Sequence, residues 1–115
     1  MNEITEEEVK QFLKETIFDH QPGQKEISFP VIQRIHRRLQ QGNSFSGIKV
    51  CDGRIVDGHH RYICHKLLDI NPETVPGGAI NVAINYVWAK INLTDADYDS
   101  EEDKVDYEER YDKKN

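Results

Sequence analysis

The sequence has few of the features that are typical of membrane-spanning, secreted and metal-bound proteins. Its 115 residues contain no apolar run near the ~20 residues of a membrane-spanning helix, and its first residues lack the basic and apolar regions of a signal peptide. Its two cysteines, Cys51 and Cys64, form no CxxC pair, and their spacing suggests no disulfide. We therefore expect a cytoplasmic protein with reduced thiols and no membrane partner.

Apolar residues are also scarce. A content of 37% hydrophobic and 31% charged residues limits the chain to one domain with a modest core. The net charge of −6 lies in residues 95–115, which hold ten acidic and four basic residues, whereas residues 1–94 are neutral. We predict a folded domain over 1–94 and an acidic tail over 95–115. The tail is expected to be flexible or, at 100–111, a marginal helix, and to aid solubility or dock on a basic protein partner.

Three segments have the pattern of amphipathic helices. The first begins at a capping box with Thr5 as the N-cap, and it is expected to run to about Phe18 with Ile17 on its inner face. The second fits residues 30–41, with proline near its first turn. The third covers about 58–68.

Short strands are predicted between the helices. The Asp-Gly pair at Asp52 is typical of a tight hairpin turn, and residues 71–78, with two prolines and two glycines, are predicted to be a loop. The predicted strands are 26–28, 46–50, 54–56 and 80–89, the last with Val82, Ile84, Tyr86 and Trp88 on one face. Trp88 and Tyr86 are expected in the core, although Trp88 could also stack on a base. This mixture predicts a small α/β or α+β fold.

Chemically active side chains are concentrated from Asp57 to Arg61, at a predicted strand-to-helix junction. Free N–H groups and the positive end of a helix dipole favour an anion there. Arg61 can hold a phosphate in a bidentate manner, and cationic residues at a helix N-terminus are misplaced unless an anion is present. We therefore predict that Gly58, His60 and Arg61 bind a phosphate.

The same motif resembles the ParB/sulfiredoxin superfamily. The resemblance covers roughly residues 27–88 and includes the order helix, glycine, strand, Asp-Gly turn, strand, Asp-Gly-His-His-Arg-Tyr and helix. The motif is most similar to that of the family's free-serine kinases and of toxin-associated ParB-like nuclease domains, which carry Asp-Gly-His-x-Arg. The resemblance implies a ParB/sulfiredoxin-like mixed sheet with flanking helices. It also implies that Gly58, His60 and Arg61 hold the phosphate of a nucleotide or nucleic acid.

Phosphoryl transfer or phosphodiester cleavage is the activity that the resemblance implies, and Glu26 lies roughly where the family kinases keep a catalytic carboxylate. Asp57 is a candidate Mg²⁺ ligand beside the phosphates of ATP, ADP or CTP, because a hard cation prefers carboxylate and phosphate oxygens. His59 is a candidate general acid or base, since its ordinary pKa of ~6.5 suits proton transfer near neutrality. His59 replaces the sulfiredoxin cysteine, so sulfinic-acid reduction is not expected.

Each candidate also has a plainer interpretation. Asp57 is equally suited to be the N-cap of the helix, and His59 to be an exposed histidine with one hydrogen bond. Asp52 is expected only to form its turn. His60 and Cys64, four residues apart, would share a helical face as a transition-metal pair, but no second cluster supports structural zinc.

Two further questions stay open in the sequence. Arg34, Arg37 and Arg38 either contact nucleic-acid phosphates or form the solvated face of a helix. The chain is expected to be a kinase-like or nuclease-like enzyme, with a non-catalytic nucleotide-binding switch and a protein-interaction module as the alternatives.

Overall fold

The fold consists of short strands and three helices, in the computed structural model, which describes residues 3–45, 47–79 and 84–102. The prediction of a small α+β domain is confirmed. In chain order the elements are α1 (Glu6–Glu15), β1 (Glu26–Ser28), α2 (Phe29–Gln40), β2 (Ile48–Cys51), β3 (Arg54–Asp57), α3 (His59–Leu67), β4 (Thr74–Pro76), a 3₁₀ turn (Trp88–Lys90) and β5 (Asn92–Thr94).

The strands form two small sheets. In one, β1 and β5 run parallel, and in the other β2 lies between antiparallel β3 and parallel β4. The β2–β3 hairpin turns at Asp52 and Gly53, whose φ angles of 50° and 77° are both positive, as a tight two-residue turn requires. The predicted hairpin and the role of Asp52 in its turn are confirmed, and β3 leads directly to the junction with α3.

The core lies between the helices and the sheets, with α2 packed against α3. An aromatic cluster of Phe18, Tyr62 and Trp88 closes one end, and the rings of Tyr62 and Trp88 stack with their centroids 5.9 Å apart. Trp88 is only 1% exposed, so its predicted place in the core is confirmed. Because Tyr62 belongs to α3, this cluster fixes the helix that carries the motif.

Helix α1 is shorter than predicted. It ends at Glu15, and Thr16 is already extended with φ −93° and ψ 141°. Successive side chains of extended backbone point to opposite sides, so Ile17 is 96% exposed while Phe18 is buried. The predicted inward position of Ile17 is wrong, because the aromatic cluster takes Phe18 instead.

The second half of the chain departs most from prediction. Of the predicted strand 80–89, residues 80–83, with Val82, lie outside the described residues, 84–87 form no strand, and Trp88 begins a 3₁₀ turn. Trp88 Nε1 donates to the His20 carbonyl (2.7 Å). This side-chain hydrogen bond, rather than backbone pairing with a neighbouring strand, holds the chain around Trp88. Tyr86 is 38% exposed, so its predicted burial is wrong. Strand β4 lies inside the predicted loop 71–78, and β5 was not predicted.

The capping box of α1 is present as predicted. Glu8 N–H donates to Thr5 Oγ1 (3.2 Å), and Thr5 N–H donates to Glu8 Oε1 (3.1 Å). We expect Thr5→Ala to lower the free energy of unfolding by about 1 kcal/mol, because it leaves one of these donors without an acceptor. Urea denaturation measures the change, and Thr5→Ser should retain most of the stability. Equal stability of the alanine and serine variants would contradict a role for the hydroxyl.

Candidate functional site

The junction between β3 and α3 depends on a glycine. Gly58 has left-handed backbone angles (φ 101°, ψ 28°) and is the N-cap of α3. A Cβ atom at this position would lie 2.8 Å from Arg61 Nη2 and 3.2 Å from Ile48 Cγ1. Both the angles and the close approach favour glycine. The interpretation of Asp57 as the N-cap is wrong, because it lies one residue before the cap.

The first turn of α3 has no side-chain cap. Gly58 has no side chain, so no side-chain oxygen caps the helix, and the first intrahelical bond runs from Tyr62 N–H to the Gly58 carbonyl (2.9 Å). The N–H groups of residues 59–61 therefore have no acceptor within the helix. With the positive end of the helix dipole they form the type of surface on which anions bind.

A cavity of about 450 Å³ opens at this turn. It brings together all five residues of the motif and adds residues from the loop before β1, from α2, from the loop before β2 and from the segment after β5. Its lining consists of Gln24, Val31, Ile35, Phe45, Asp57, Gly58, His59, His60, Arg61, Tyr98 and Asp99. Apolar side chains thus cover part of the wall, and charged or hydrogen-bonding groups the remainder.

Arg61 folds back across Gly58. Its side chain is 17% exposed, and Nη2 lies 3.3 Å from Asp57 Oδ2, whose side chain is 65% exposed. An ion pair with so exposed a partner contributes little to stability. The Asp57 carboxylate is therefore only weakly held by this guanidinium.

His59 is buried rather than exposed. Only 4% of it is accessible, and Nε2 accepts a hydrogen bond from Gly23 N–H (2.8 Å). Burial lowers the pKa of His59 to about 4, although Asp57 partly opposes the shift. The ring is therefore neutral at pH 7, with its proton on Nδ1. The expected pKa near neutrality, on which its role in proton transfer depended, is wrong.

His60 has a similar arrangement. Its Nε2 accepts from Ser28 N–H (2.9 Å), and its ring meets Tyr98 edge to face, with centroids 5.6 Å apart. Burial lowers the pKa of His60 to about 4, and the positive charge of Arg61, joined by that of His59 once it is protonated in acid, lowers it further. The neutral ring carries its proton on Nδ1. Neither histidine is a cation at the helix N-terminus, and Arg61 carries the positive charge of the motif.

Glu26 is not among the residues that line the cavity. Its Oε1 accepts from the Tyr98 hydroxyl (2.7 Å) and its Oε2 from Asn92 Nδ2 (2.6 Å). These two hydrogen bonds lower the pKa of Glu26. Two residues of the cavity lining contact Glu26: Tyr98 bonds to its carboxylate, and Gln24 Nε2 donates to its carbonyl (2.7 Å).

The alternative metal pair is not assembled. Cys64 is fully buried and its Sγ donates to the Ile32 carbonyl (3.2 Å), while His60 is turned toward Ser28. Burial raises the pKa of the Cys64 thiol. Within the described ranges, no group of three or more His, Cys, Asp or Glu side chains is placed to hold a metal ion. Mg²⁺ at Asp57 would need most of its oxygen ligands from a nucleotide and water.

The segment 96–99, which we call the acidic strap, was predicted as part of a flexible tail. Tyr98 and Asp99 line the cavity, and Asp97 and Asp99 pair with Arg34 on α2. The predicted boundary after residue 94 excludes these residues from the domain, although they are held against it. Residues 103–115, including most of the predicted helix 100–111, lie outside the described part. No sequence signal pairs an arginine with carboxylates more than 60 positions away.

The three arginines of α2 do not form a solvated face. Arg38 is 1% exposed, Arg34 is engaged by the acidic strap, and Arg37 pairs with Glu3 (2.9 Å) near the surface. Only Arg37 fits the prediction of an exposed helical charge, with 43% of its side chain accessible.

Comparisons of the chain with known protein families, with curated proteins and with solved structures give no match. Among the described residues, no helix is both long and apolar enough to cross a membrane. The fold and the site define a small α+β domain with a cavity at a glycine-capped helix N-terminus.

Proposed function

We propose that this chain binds the phosphate groups of a nucleotide in the cavity at the start of α3. One observation carries the proposal: the first turn of α3, which has no side-chain cap and has Arg61 folded over Gly58, lines a cavity of about 450 Å³. Cavities of roughly 300–1,000 Å³ are typical of small-molecule sites. The polar end would hold the phosphates, and the wall of Val31, Ile35 and Phe45 would face the apolar part of the ligand.

Each residue of the motif has a distinct role in this proposal. Gly58 permits the close approach of a phosphate to the N–H groups of the turn, and Arg61 donates in a bidentate manner. His60 is a neutral donor through Nδ1–H, because its Nε2 already accepts from Ser28 N–H. The positive charge at the phosphate then comes from Arg61 and from a bound cation.

A divalent cation follows from the charges of the lining. Asp57 and Asp99 are acidic and Arg61 is basic, so a bare polyphosphate would meet a wall with excess negative charge. Mg²⁺ bound to the phosphates would offset this repulsion, and the Asp57 carboxylate, which is exposed, would take part in its coordination. We therefore propose that binding depends on Mg²⁺.

Phosphoryl transfer or phosphodiester cleavage is the chemistry that we propose, in keeping with the resemblance to Asp-Gly-His-x-Arg members of the ParB/sulfiredoxin superfamily. Such reactions depend mainly on positioning and charge stabilisation. Asp57 is the exposed carboxylate at the cavity and is better suited to assist an attacking hydroxyl or water than His59, whose Nε2 is occupied and whose pKa is about 4. The Glu26 carboxylate would act through the Tyr98 hydroxyl, to which it is bonded.

A non-catalytic nucleotide-binding switch is the second candidate. Gly23 and Ser28 donate backbone N–H groups to His59 and His60, so the phosphate-binding turn is joined to the chain before and within β1. A ligand that shifts this turn would move those segments as well. Binding without turnover is the result that would favour the switch over an enzyme.

Calorimetric titration with ATP, ADP and CTP in the presence of Mg²⁺, and separately with DNA and RNA, tests the proposal. We expect Arg61→Ala to weaken binding at least about tenfold, because charge-assisted hydrogen bonds are lost. Arg37→Ala is the matched control, since Arg37 pairs with Glu3 away from the cavity lining. Product formation that is lost in Asp57→Ala supports transfer or cleavage. Failure of all these ligands to bind the wild-type chain would refute the proposed function.

A further inference from the structure

The acidic strap is attached to the domain through an arginine. Arg34 Nη2 lies 2.7 Å from Asp97 Oδ2, and Arg34 Nη1 lies 2.5 Å from Asp99 Oδ2. The Asp99 N–H also donates to Asp97 Oδ1 (3.0 Å), which holds the two carboxylates side by side. Only 13% of the Arg34 side chain is exposed, and its guanidinium contacts a carboxylate of the strap through each of its two terminal nitrogens.

Two hydrogen bonds and the edge-to-face contact of the Tyr98 ring with His60 hold the rest of the strap. Ser28 Oγ donates to the Ala96 carbonyl, and the Tyr98 hydroxyl donates to Glu26, both at 2.7 Å. Ala96 is exposed and Tyr98 is 46% exposed. Ion pairs near the surface weaken with salt and contribute little. None of the strap residues belongs to the hydrophobic core, so the strap can leave the domain without opening that core.

The position of Asp99 connects Arg34 with the cavity. Asp99 bonds to Arg34 on one side and lines the cavity beside His60 and Arg61 on the other. A guanidinium binds carboxylate and phosphate oxygens with the same bidentate geometry. The paired carboxylates of Asp97 and Asp99 thus present to Arg34 the kind of group that two linked phosphates would present.

We propose that the acidic strap is an internal competitor of the ligand, and that Arg34 becomes a second phosphate ligand when the strap is displaced. This inference rests on the proposed function and narrows its substrate class. Displacement removes Asp99 from the lining and adds Arg34, so two cations face the phosphates. A nucleoside diphosphate or triphosphate engages both, whereas a monophosphate engages only Arg61 and the first turn of α3.

The test compares Mg²⁺–ADP and AMP binding to full-length variants by calorimetry. We expect Asp97→Asn with Asp99→Asn to bind ADP about tenfold more tightly than the wild type, because competition is removed. The control, Asp95→Asn with Glu102→Gln, removes the same charge from positions that flank the Arg34 ion pairs with Asp97 and Asp99, and its ADP affinity should be unchanged. Arg34→Ala should lower ADP affinity at least about fivefold and leave AMP affinity unaltered.

Hydrogen exchange on the wild-type chain gives a second readout that needs no variant. Binding of ADP should speed the exchange of residues 96–99, since their contacts with Arg34 are replaced, whereas a merely structural segment would stay equally protected. Unchanged ADP affinity in the strap variant, or an unchanged ratio of ADP to AMP affinity in Arg34→Ala, overturns this inference while the proposed function stands. Absence of any nucleotide binding overturns both.

Discussion

Acidification from pH 7 to below pH 4 is expected to remove about 6 kcal/mol of stability, about 3 kcal/mol for each of two histidines, and so to unfold the domain. Burial lowers the pKa of His59 and of His60 from 6.5 to about 4. Between these pH values the unfolded chain binds protons that the folded chain excludes. The stability is therefore fully present above pH 6.5 and is lost as the pH falls toward 4. Burial lowers the pKa of His36 as well, in the same direction.

Urea denaturation as a function of pH measures this loss. The double variant His59→Gln and His60→Gln keeps an acceptor for the N–H groups of Gly23 and Ser28 but does not titrate. We expect it to be less stable than the wild type at pH 7, with a much flatter pH dependence between 6.5 and 4. Ring resonances followed by NMR should show neither histidine titrating above pH 5. An equally steep pH dependence in the variant would assign the acid transition to other groups.

Gly58→Ala is expected to lower the free energy of unfolding by about 2 kcal/mol and to weaken nucleotide binding at least about tenfold. Alanine is strained at a φ of 101°, and its Cβ would lie 2.8 Å from Arg61 Nη2. The strain accounts for the loss of stability. Displacement of the Arg61 guanidinium from the first turn of α3 accounts for the loss of binding. Urea denaturation and calorimetric titration measure the two effects separately.

Gly42→Ala is a matched control for the backbone strain that alanine introduces in Gly58→Ala. Gly42 has a comparable φ of 90°, but a Cβ there would meet nothing within 4 Å. This variant should lose stability through strain alone and bind nucleotide like the wild type. If Gly58→Ala retained wild-type affinity, Arg61 would not need its place over Gly58, and the proposed phosphate site would be wrong.

The elements that sequence predicts well are those whose hydrogen bonds lie within a few residues. The capping box of Thr5, the turn at Asp52 and the strand at Glu26–Ser28 all appear where expected. The second predicted helix, 30–41, differs from α2 by one residue at each end. The clustering of the motif around a cavity also agrees with the sequence, because five consecutive residues at a strand-to-helix junction must lie together.

The hydrogen-bond and ion-pair partners of the site residues could not be predicted from the sequence. The acceptor role of His59 depends on Gly23, 36 positions earlier, and that of His60 on Ser28, 32 positions earlier. Arg34 finds its carboxylates 63 and 65 positions later. Strand β4 exists only because β2 supplies a parallel partner. Each of these depends on contacts that chain proximity does not specify.

The sequence by itself determined that a glycine-led turn begins a helix and that an arginine lies one turn into it, since both follow from local backbone preference. Only the tertiary structure decided that the two histidines are buried and neutral, that Phe18 rather than Ile17 enters the core, and that the acidic segment lies on an arginine of α2. The physical reason is that burial and pairing depend on which distant surfaces meet, and desolvation at those surfaces sets the charge of each group.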